Sequence, residues 1–468
     1  MDSPAINKAI AAAGETGGGT VYFPAGTFLA GSIHLKSNIA LYLDQGSTIL
    51  ASDDPAAYDQ AEPNEWDKLQ DFGHSHFHNS LIWGEGLENI SILGTGRIYG
   101  KGLVRNTSKP VGNKAIALKL CRNVTLKDFS VLMGGWFAIL ATGVDNLTID
   151  NLKIDTNRDG MDIDSCRHVH VSNCSVNSPY DDGICLKSDY ALGFARATED
   201  VTITNSLVSG YDNGTFLDGT YQKKQVYNNA GQNAGPTGRV KFGTESNGGF
   251  KNITISNVVF DYCRGLALET VDGGLLEDVT ISNVTMRDIF NSPIFLRLGA
   301  RMRAPEGTSV GALRRINISN FVVYNADPRY GSIISGIPGH DIEDVRLNNI
   351  RIYYQGGGTK AQADLVLLEN ETAYPEPRMF GDIPAYGFFV RHVKGLEMND
   401  VQVSVMKDDM RPAVILSDVH GAEFNNLKAQ HASGVPLMIL KNVTDFSAHN
   451  SQGIAETVLP EVKLKEVQ

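Results

Sequence analysis

Asn146-Leu147-Thr148-Ile149, His168-Val169-His170-Val171 and Asp200-Val201-Thr202-Ile203 are three copies of one pattern, a turn residue followed by aliphatic residues alternating with polar ones. Upstream it stands at Asn89-Ile90-Ser91-Ile92 and Asn123-Val124-Thr125-Leu126. Downstream it returns at Asn252-Ile253-Thr254-Ile255, Asp278-Val279-Thr280-Ile281, Arg315-Ile316-Asn317-Ile318 and Asp344-Val345-Arg346-Leu347. Weaker copies are Leu396-Glu397-Met398 and Ala422-Glu423-Phe424. The closest copies lie about 22 to 26 residues apart, the spacing of stacked coils. Alternation with period two sends Val, Ile and Leu inward and Thr, Ser and Lys outward. One coil buries too little apolar surface by itself, so stacking must supply a continuous core. The chain therefore reads as an all-β solenoid.

Asparagine recurs after the strand, as in Ser256-Asn257, Ser282-Asn283 and Ser319-Asn320. Asn tolerates the left-handed backbone of a sharp corner, and successive corner side chains can stack and hydrogen-bond, so these are structural residues. An open solenoid end exposes unpaired strand edges and calls for a cap. Ser3-Pro4-Ala5-Ile6-Asn7-Lys8-Ala9-Ile10 supplies one: an N-cap serine, proline at the first helical position, and apolar residues at helical spacing over the first coil, Thr20-Val21-Tyr22-Phe23. No linker-like stretch divides the chain. The expected organisation is a single domain with a cap over 1–19, coils over about 20–450 and a tail over 451–468.

Composition narrows the function. The formal net charge is −12, and no Lys/Arg block forms a phosphate-binding stripe, which argues against nucleic acid as a partner. No apolar run reaches the roughly 18 residues a membrane-spanning helix needs. Any acidic substrate would be repelled by the overall field, so its site must carry local cations. Cys121, Cys166, Cys174, Cys185 and Cys263 are an odd set without metal-type spacing and read as buried reduced thiols. The sequence opens on Met1-Asp2-Ser3 without a charged-then-apolar leader pattern, which fits either a cytoplasmic protein or one whose leader has been removed.

Outward positions on neighbouring coils lie about 4.8 Å apart, so residues one coil apart in sequence meet in space. Asp159 precedes Asp181 and Asp182 by 22 and 23 residues, one minimal coil. Three carboxylates would then share one patch with coupled titrations, one of them held protonated. Glycoside hydrolysis needs such a set: an acid for the leaving oxygen and a base for water. Two other readings stay open from spacing alone. Asp159-Gly160 and Asp182-Gly183 are ordinary turn signals, and outward Asp clusters bind calcium.

Asn157-Arg158-Asp159-Gly160-Met161-Asp162, followed one coil later by Tyr180-Asp181-Asp182-Gly183-Ile184-Cys185-Leu186-Lys187-Ser188, resembles the paired acidic signatures of family 28 glycoside hydrolases, the polygalacturonase family. Gly17-Gly18-Gly19-Thr20-Val21-Tyr22-Phe23-Pro24-Ala25-Gly26-Thr27 and Thr244-Glu245-Ser246-Asn247-Gly248-Gly249 are similar to its bacterial members. The resemblance runs from Ser3 to Asp344. It implies a right-handed parallel β-helix and hydrolysis with inversion. In it Asp182 or Asp159 would be the general acid, with the remaining pair holding the attacking water. It also implies a pectic poly- or oligosaccharide as substrate, action outside the cytoplasm (secreted or periplasmic), a monomer, and neither cofactor nor metal.

The sequence departs from that pattern in three places. The usual Asn-Thr-Asp reads Asn157-Arg158-Asp159, an Arg that would be costly if it faced the core. The usual Gly-His-Gly is missing from Pro236-Thr237-Gly238-Arg239-Val240-Lys241-Phe242-Gly243, so another group must tune the acid. The Arg-Ile-Lys triplet that grips a galacturonate carboxylate falls on Ala267-Leu268-Glu269, which argues against plain homogalacturonan and for rhamnogalacturonan or branched fragments. Replacement cations are Arg297, Arg301 and Arg303, with Lys187 after the Asp pair and Arg239 and Lys241 beside the missing His.

The expected substrate-binding set is Asn157, Lys187, Asp218, Lys241, Glu245, Glu269, Arg297, Arg301 and His76. His74, His76 and His78 alternate, which on a strand would put them on one face; without a fourth ligand they read as a groove wall near Trp83 or as structure. The stretches 216–221 and 374–380 are further candidate groove walls, and loops of this number lean towards exo action. Two rival readings are a pectate-type lyase using calcium, disfavoured by the lack of an evident Arg/Lys base beside the Asp patch, and a non-catalytic carbohydrate-binding β-helix.

Overall fold

The computed structural model describes residues 1–105, 112–226 and 234–467. The chain forms two compact units, Met1–Lys241 and Phe242–Gln468.

In the first unit the coils carry three short strands, merged in the last into the 12-residue Thr198–Ser209, and each strand pairs in parallel with its equivalent one coil later. On one face Glu88–Leu93, Arg122–Lys127, Asp145–Asp150, Arg167–Ser172 and Thr198–Ser209 lie side by side. The register stacks Ile90, Val124, Leu147, Val169 and Val201 in one core column, and Ile92, Leu126, Ile149, Val171 and Ile203 in another. These residues are buried, so the period-two alternation is realised coil by coil. Burial at about 25 cal/mol per Å² of apolar surface is the term that holds neighbouring coils together. Strand-to-strand connections of this parallel kind are right-handed almost without exception. The fold is a right-handed parallel β-helix.

Corner asparagines take positive φ: 55° at Asn89, Asn123 and Asn146. Asn123 Nδ2 donates to Asn89 Oδ1 at 2.9 Å, and Asn146 Nδ2 to Asn123 Oδ1 at 2.9 Å. A second such ladder in the other unit runs through Asn257, Asn283, Asn320 and Asn349. Stacked amides pay the left-handed strain of each corner with one hydrogen bond per coil.

The helix Ser3–Glu15 buries Ile6 and Ile10. It starts one residue earlier than the sequence suggests: Asp2 is the N-cap, and Ser3 Oγ instead accepts the Gly31 amide at 2.8 Å. Asp2 accepts the Leu29 amide, while Asn7 accepts from His34 N and donates to Ser32 O. The strand-edge groups thus find partners on the helix, which is what a cap must provide.

In the second unit long strands repeat the parallel register, among them Phe250–Asp261, Leu275–Leu298, Ala312–Ala326, Ile342–Gly356, Phe388–Lys407, Val414–Asn425 and Met438–His449. The last strand, Thr457–Val467, runs antiparallel to Met438–His449 and so covers that edge. All five cysteines are buried.

Candidate active site

The strand Asp159–Asp164 and the next, Ile184–Ser188, pair in parallel with Met161 opposite Ile184. Asp181 and Asp182 sit in the turn that feeds the second strand. That turn is fixed by its backbone: Asp182 O accepts the Gly160 amide at 2.9 Å, Asp181 O the Gly238 amide at 2.9 Å, and Arg239 O the Gly183 amide at 2.9 Å. Gly160 lies within the strand, not in a turn. A Cβ there would come within 2.2 Å of Gly183 O and 2.4 Å of Val176 Cγ1, so glycine follows Asp159 because the next coil passes too close for a side chain.

One carboxylate oxygen each from Asp159, Asp181 and Asp182 lies within 4.8 Å of the others. The wall is not open to solvent as the sequence suggested. Asp159 is 4% exposed and Asp182 3%; only Asp181, with its side chain 31% exposed, reaches the surface. Core-facing Met161 and Ile163 alternate with Asp162 and Asp164, and the segment around residues 72–77 lies over these aspartates. His74 packs on Phe137 with ring centroids 4.7 Å apart, and its Nε2 is 3.7 Å from Asp162 Oδ2. Phe77, Ala117, Trp136, Phe137 and Leu140 form an apolar cluster there.

Burial would raise Asp159, Asp162 and Asp182 alike, and their neighbours then separate them. Burial raises Asp159 well above the usual range, with Asp181 and Asp162 adding to it against Arg158 and Lys187. Asp162 is pushed up to about 8, chiefly by burial. Asp182 goes the other way: burial is outweighed by Lys241, Arg239 and Lys187, and its carboxyl is held far below the usual range. Arg239 Nε donates to Asp182 Oδ1 at 2.8 Å, and Lys241 Nζ lies 3.3 Å from Oδ2. The residues beside the missing His therefore clamp Asp182 as a carboxylate. Arg158 does not face the core. It stacks over Trp136 with Cζ 4.8 Å from the ring centroid, and pairs with Asp181 at 3.2 Å and Asp159 at 3.5 Å. The expectation of no Arg or Lys beside the Asp patch is corrected by these three cations.

The other expected residues fall in several places. Lys187 is buried with Nζ 3.9 Å from Asp162. Asn157 Oδ1 accepts the Gly135 amide at 3.2 Å, bracing the coil before the site. His74, His76 and His78 do not share a strand face, because Phe72–Ser75 is a helical turn. His76 is buried and stacked on Phe72 with ring centroids 4.0 Å apart; His78 stacks on Trp83 and reaches Glu85 at 2.8 Å. Asp218 is exposed and accepts from Thr220 N at 2.8 Å, closing its own turn. The insertion that carries it is held instead by buried Asp155, which accepts the amides of Gly214, Phe216 and Leu217.

In the second unit Glu269 is fully buried beside Arg297 in register. Arg297 is 1% exposed and donates to Ser335 Oγ and to the carbonyls of Gly336, Glu369 and Asn370 at 2.9 to 3.2 Å. It ties down a loop, which corrects the expectation that it grips a sugar carboxylate. Arg301 is bound in a fork to buried Asp272, with Nε to Oδ1 at 3.0 Å, and its Nη2 is 3.7 Å from Glu245. Arg303, its side chain 31% exposed, lies 3.5 Å from Glu245.

Sequence reasoning missed Asp162 and His74 as neighbours of the trio, and quoted Arg239 without placing it in the site. The available signal was the alternation Met161-Asp162-Ile163-Asp164, which sets Asp162 and Asp164 on the side of the strand opposite Met161 and Ile163.

Comparison with known proteins agrees with this fold. Residues 19–210 match the model of glycosyl hydrolases family 28, and residues 137–304 that of the right-handed β-helix region. A probable polygalacturonase from Vitis vinifera is 25% identical over 283 residues, 55% of this chain and 55% of the relative. The match thus spans just over half the length of that curated protein. A family 28 exopolygalacturonase from Yersinia enterocolitica superposes with a TM-score of 0.63 at 17% identity, covering 93% of this chain and 76% of that one. A hyperthermoactive exopolygalacturonase from Thermotoga maritima gives 0.54 at 18% identity, covering 100% and 91%. These two likenesses concern the fold. The two acidic signatures on adjacent coils lie inside the stretch, residues 19–210, that matches the model of glycosyl hydrolases family 28.

Proposed function

We propose that this protein is a glycoside hydrolase that cleaves galacturonic-acid-containing bonds in pectin, with Asp159, Asp181 and Asp182 as its catalytic residues. The observation that carries the reading is three carboxylates within 4.8 Å whose surroundings push two of them in opposite directions. Such a split assigns acid and base. Asp159, kept neutral, gives its proton to the leaving glycosidic oxygen. Asp182, kept ionised, takes a proton from the water whose oxygen attacks the anomeric carbon, and Asp181 helps orient that water. Solvent then returns one proton to Asp159 and removes one from Asp182.

Inversion rests on the family resemblance. Inverting pairs stand roughly 6.5–9.5 Å apart, whereas 4.8 Å bounds one oxygen of each group; the anomer of the first product decides between them. Rhamnogalacturonan or branched fragments are the proposed substrates, with Ala267-Leu268-Glu269 where the resemblance calls for two cations, and with Arg297 and Arg301 committed to other partners. Exo action, a monomeric state and a secreted or periplasmic site of action complete the proposal.

The lyase reading keeps one supporting observation, the cations beside the trio. Arg239 and Lys241 are ion-paired with Asp182, and a proton-abstracting base must be neutral. The test is incubation with a panel of homogalacturonan and rhamnogalacturonan oligosaccharides, reading product size, anomeric configuration and ultraviolet absorbance together. New reducing ends without an unsaturated chromophore are expected; an absorbing product, or inertness on every pectic substrate, overturns the reading.

A further inference from the structure

Arg158 stands where the family resemblance leads one to expect Thr, and the roles assigned above leave it without a task. Its guanidinium is seated on two aromatic faces, with Cζ 4.8 Å from the Trp136 ring centroid and 5.8 Å from that of Phe137. From that seat Nη1 reaches Asp159 Oδ2 at 3.5 Å and Nε reaches Asp181 Oδ2 at 3.2 Å. A planar guanidinium presents donors along its edges while its face stays stacked, so it can address two carboxylates at once; an ammonium cannot do both. The platform is itself wedged. Trp136 is buried, and a Cβ at Gly73 would stand 2.7 Å from the rings of both Trp136 and Phe137, which leaves the stack no room to slide.

We propose that Arg158 is a positioning residue: locked on Trp136, it clamps Asp159 and Asp181 into one arrangement and thereby aims the proton donor at the glycosidic oxygen. The inference rests on the catalytic reading of the trio. The charged groups that face Arg158 are Asp159, Asp181, Asp71 and Asp162, and those that face Asp159 are Asp181, Asp182, Asp162, Arg158 and Lys187. Without the guanidinium, Asp159 loses the first-named of the two cations that favour its charged form. It then holds its proton to higher pH.

The test compares Arg158→Gln and Arg158→Lys with the full wild-type chain in two readouts. In a titration of carbon-13-labelled aspartate by NMR, with Asp159 assigned through Asp159→Asn, Arg158→Gln moves the Asp159 midpoint up by about one unit, and Arg158→Lys by less than half of that. In kinetics on the best pectic oligosaccharide, both variants lose about 100-fold in kcat with KM within about threefold of wild type, since the lost term is aim and not binding. The alkaline limb of the rate profile of Arg158→Gln moves up with the titration. An Asp159 midpoint unmoved in Arg158→Gln overturns the clamp. So does a KM that rises with kcat intact, which would make Arg158 a substrate anchor. A wild-type protein inert on every pectic substrate, with the titration still shifted, removes the functional reading and leaves the clamp standing.

Discussion

Replacing Arg239 by Gln probes the closer of the two ion pairs at Asp182. Nε donates to Asp182 Oδ1 at 2.8 Å, and the two side chains are 3% and 4% exposed. Breaking a buried pair by removing one partner costs roughly 3–5 kcal/mol, because the other charge is left uncompensated. Lys241, at 3.3 Å, and Lys187 still face Asp182, so the lower end applies, about 3 kcal/mol. At an unfolding entropy of about 2 cal/mol/K per residue, this is a fall in Tm of about 3 °C for a chain of 468 residues. The folded-state carboxyl of Asp182 is depressed; the stability it contributes is present above the unfolded carboxylate range and is lost as pH falls through the folded value. Wild type and variant should therefore differ fully at neutral pH and converge in acid. As the base, Asp182 must be ionised, so a higher pKa moves the acid limb of the rate profile up by roughly 1–2 units. Calorimetry and initial rates of reducing-end release from about pH 1 to 8 read both effects. An unchanged Tm at neutral pH together with an unmoved acid limb would refute the assigned role of Arg239.

Three further outcomes are expected. Asp159→Asn should lower kcat by about 1,000-fold or more with an unchanged circular dichroism spectrum; retained turnover would remove Asp159 as proton donor. Asp162, pushed up to about 8, is a carboxyl whose folded pKa is raised. Wild-type stability should thus decline as pH climbs from the unfolded carboxylate range to about 8, and Asp162→Asn should flatten that decline in a Tm-against-pH series. Arg297→Met should leave the half-buried carbonyls of Glu369 and Asn370 without their donor, at about 1 kcal/mol each, the low end for an acceptor that water can still reach. Faster proteolytic cutting within residues 367–371 reads that loosening; cutting at the wild-type rate would deny the tether.

The coil architecture was legible because it is a one-dimensional property. Alternation decides which side chain faces the core, and a period of 22 decides which residues become neighbours, as in the register of Phe137 with Asp159 and of Asp145 with Arg167. The corner asparagines were legible for the same reason, since left-handed backbone leaves few choices of residue. The histidines were not. Their alternation looked like a strand, yet Phe72–Ser75 closes a helical turn, packed so closely on Trp136 and Phe137 that position 73 has no room for a Cβ. The cations were also illegible. Arg297, Arg301, Arg239 and Lys241 look alike along the chain, and only their partners separate a loop tether from a carboxylate clamp.

By itself the sequence determined that Asp159 and the Asp181-Asp182 pair share one stretch of wall, because stacking at a fixed period turns one coil of sequence into one strand spacing in space. Tertiary structure alone decided what those acids are. His74 and the apolar cluster of Phe77, Trp136 and Phe137 pack beside Asp162, and the cations at 158, 239 and 241 reach some carboxylates more closely than others. Protonation follows the local dielectric and the distance to charge, and both are properties of packing that no linear pattern encodes.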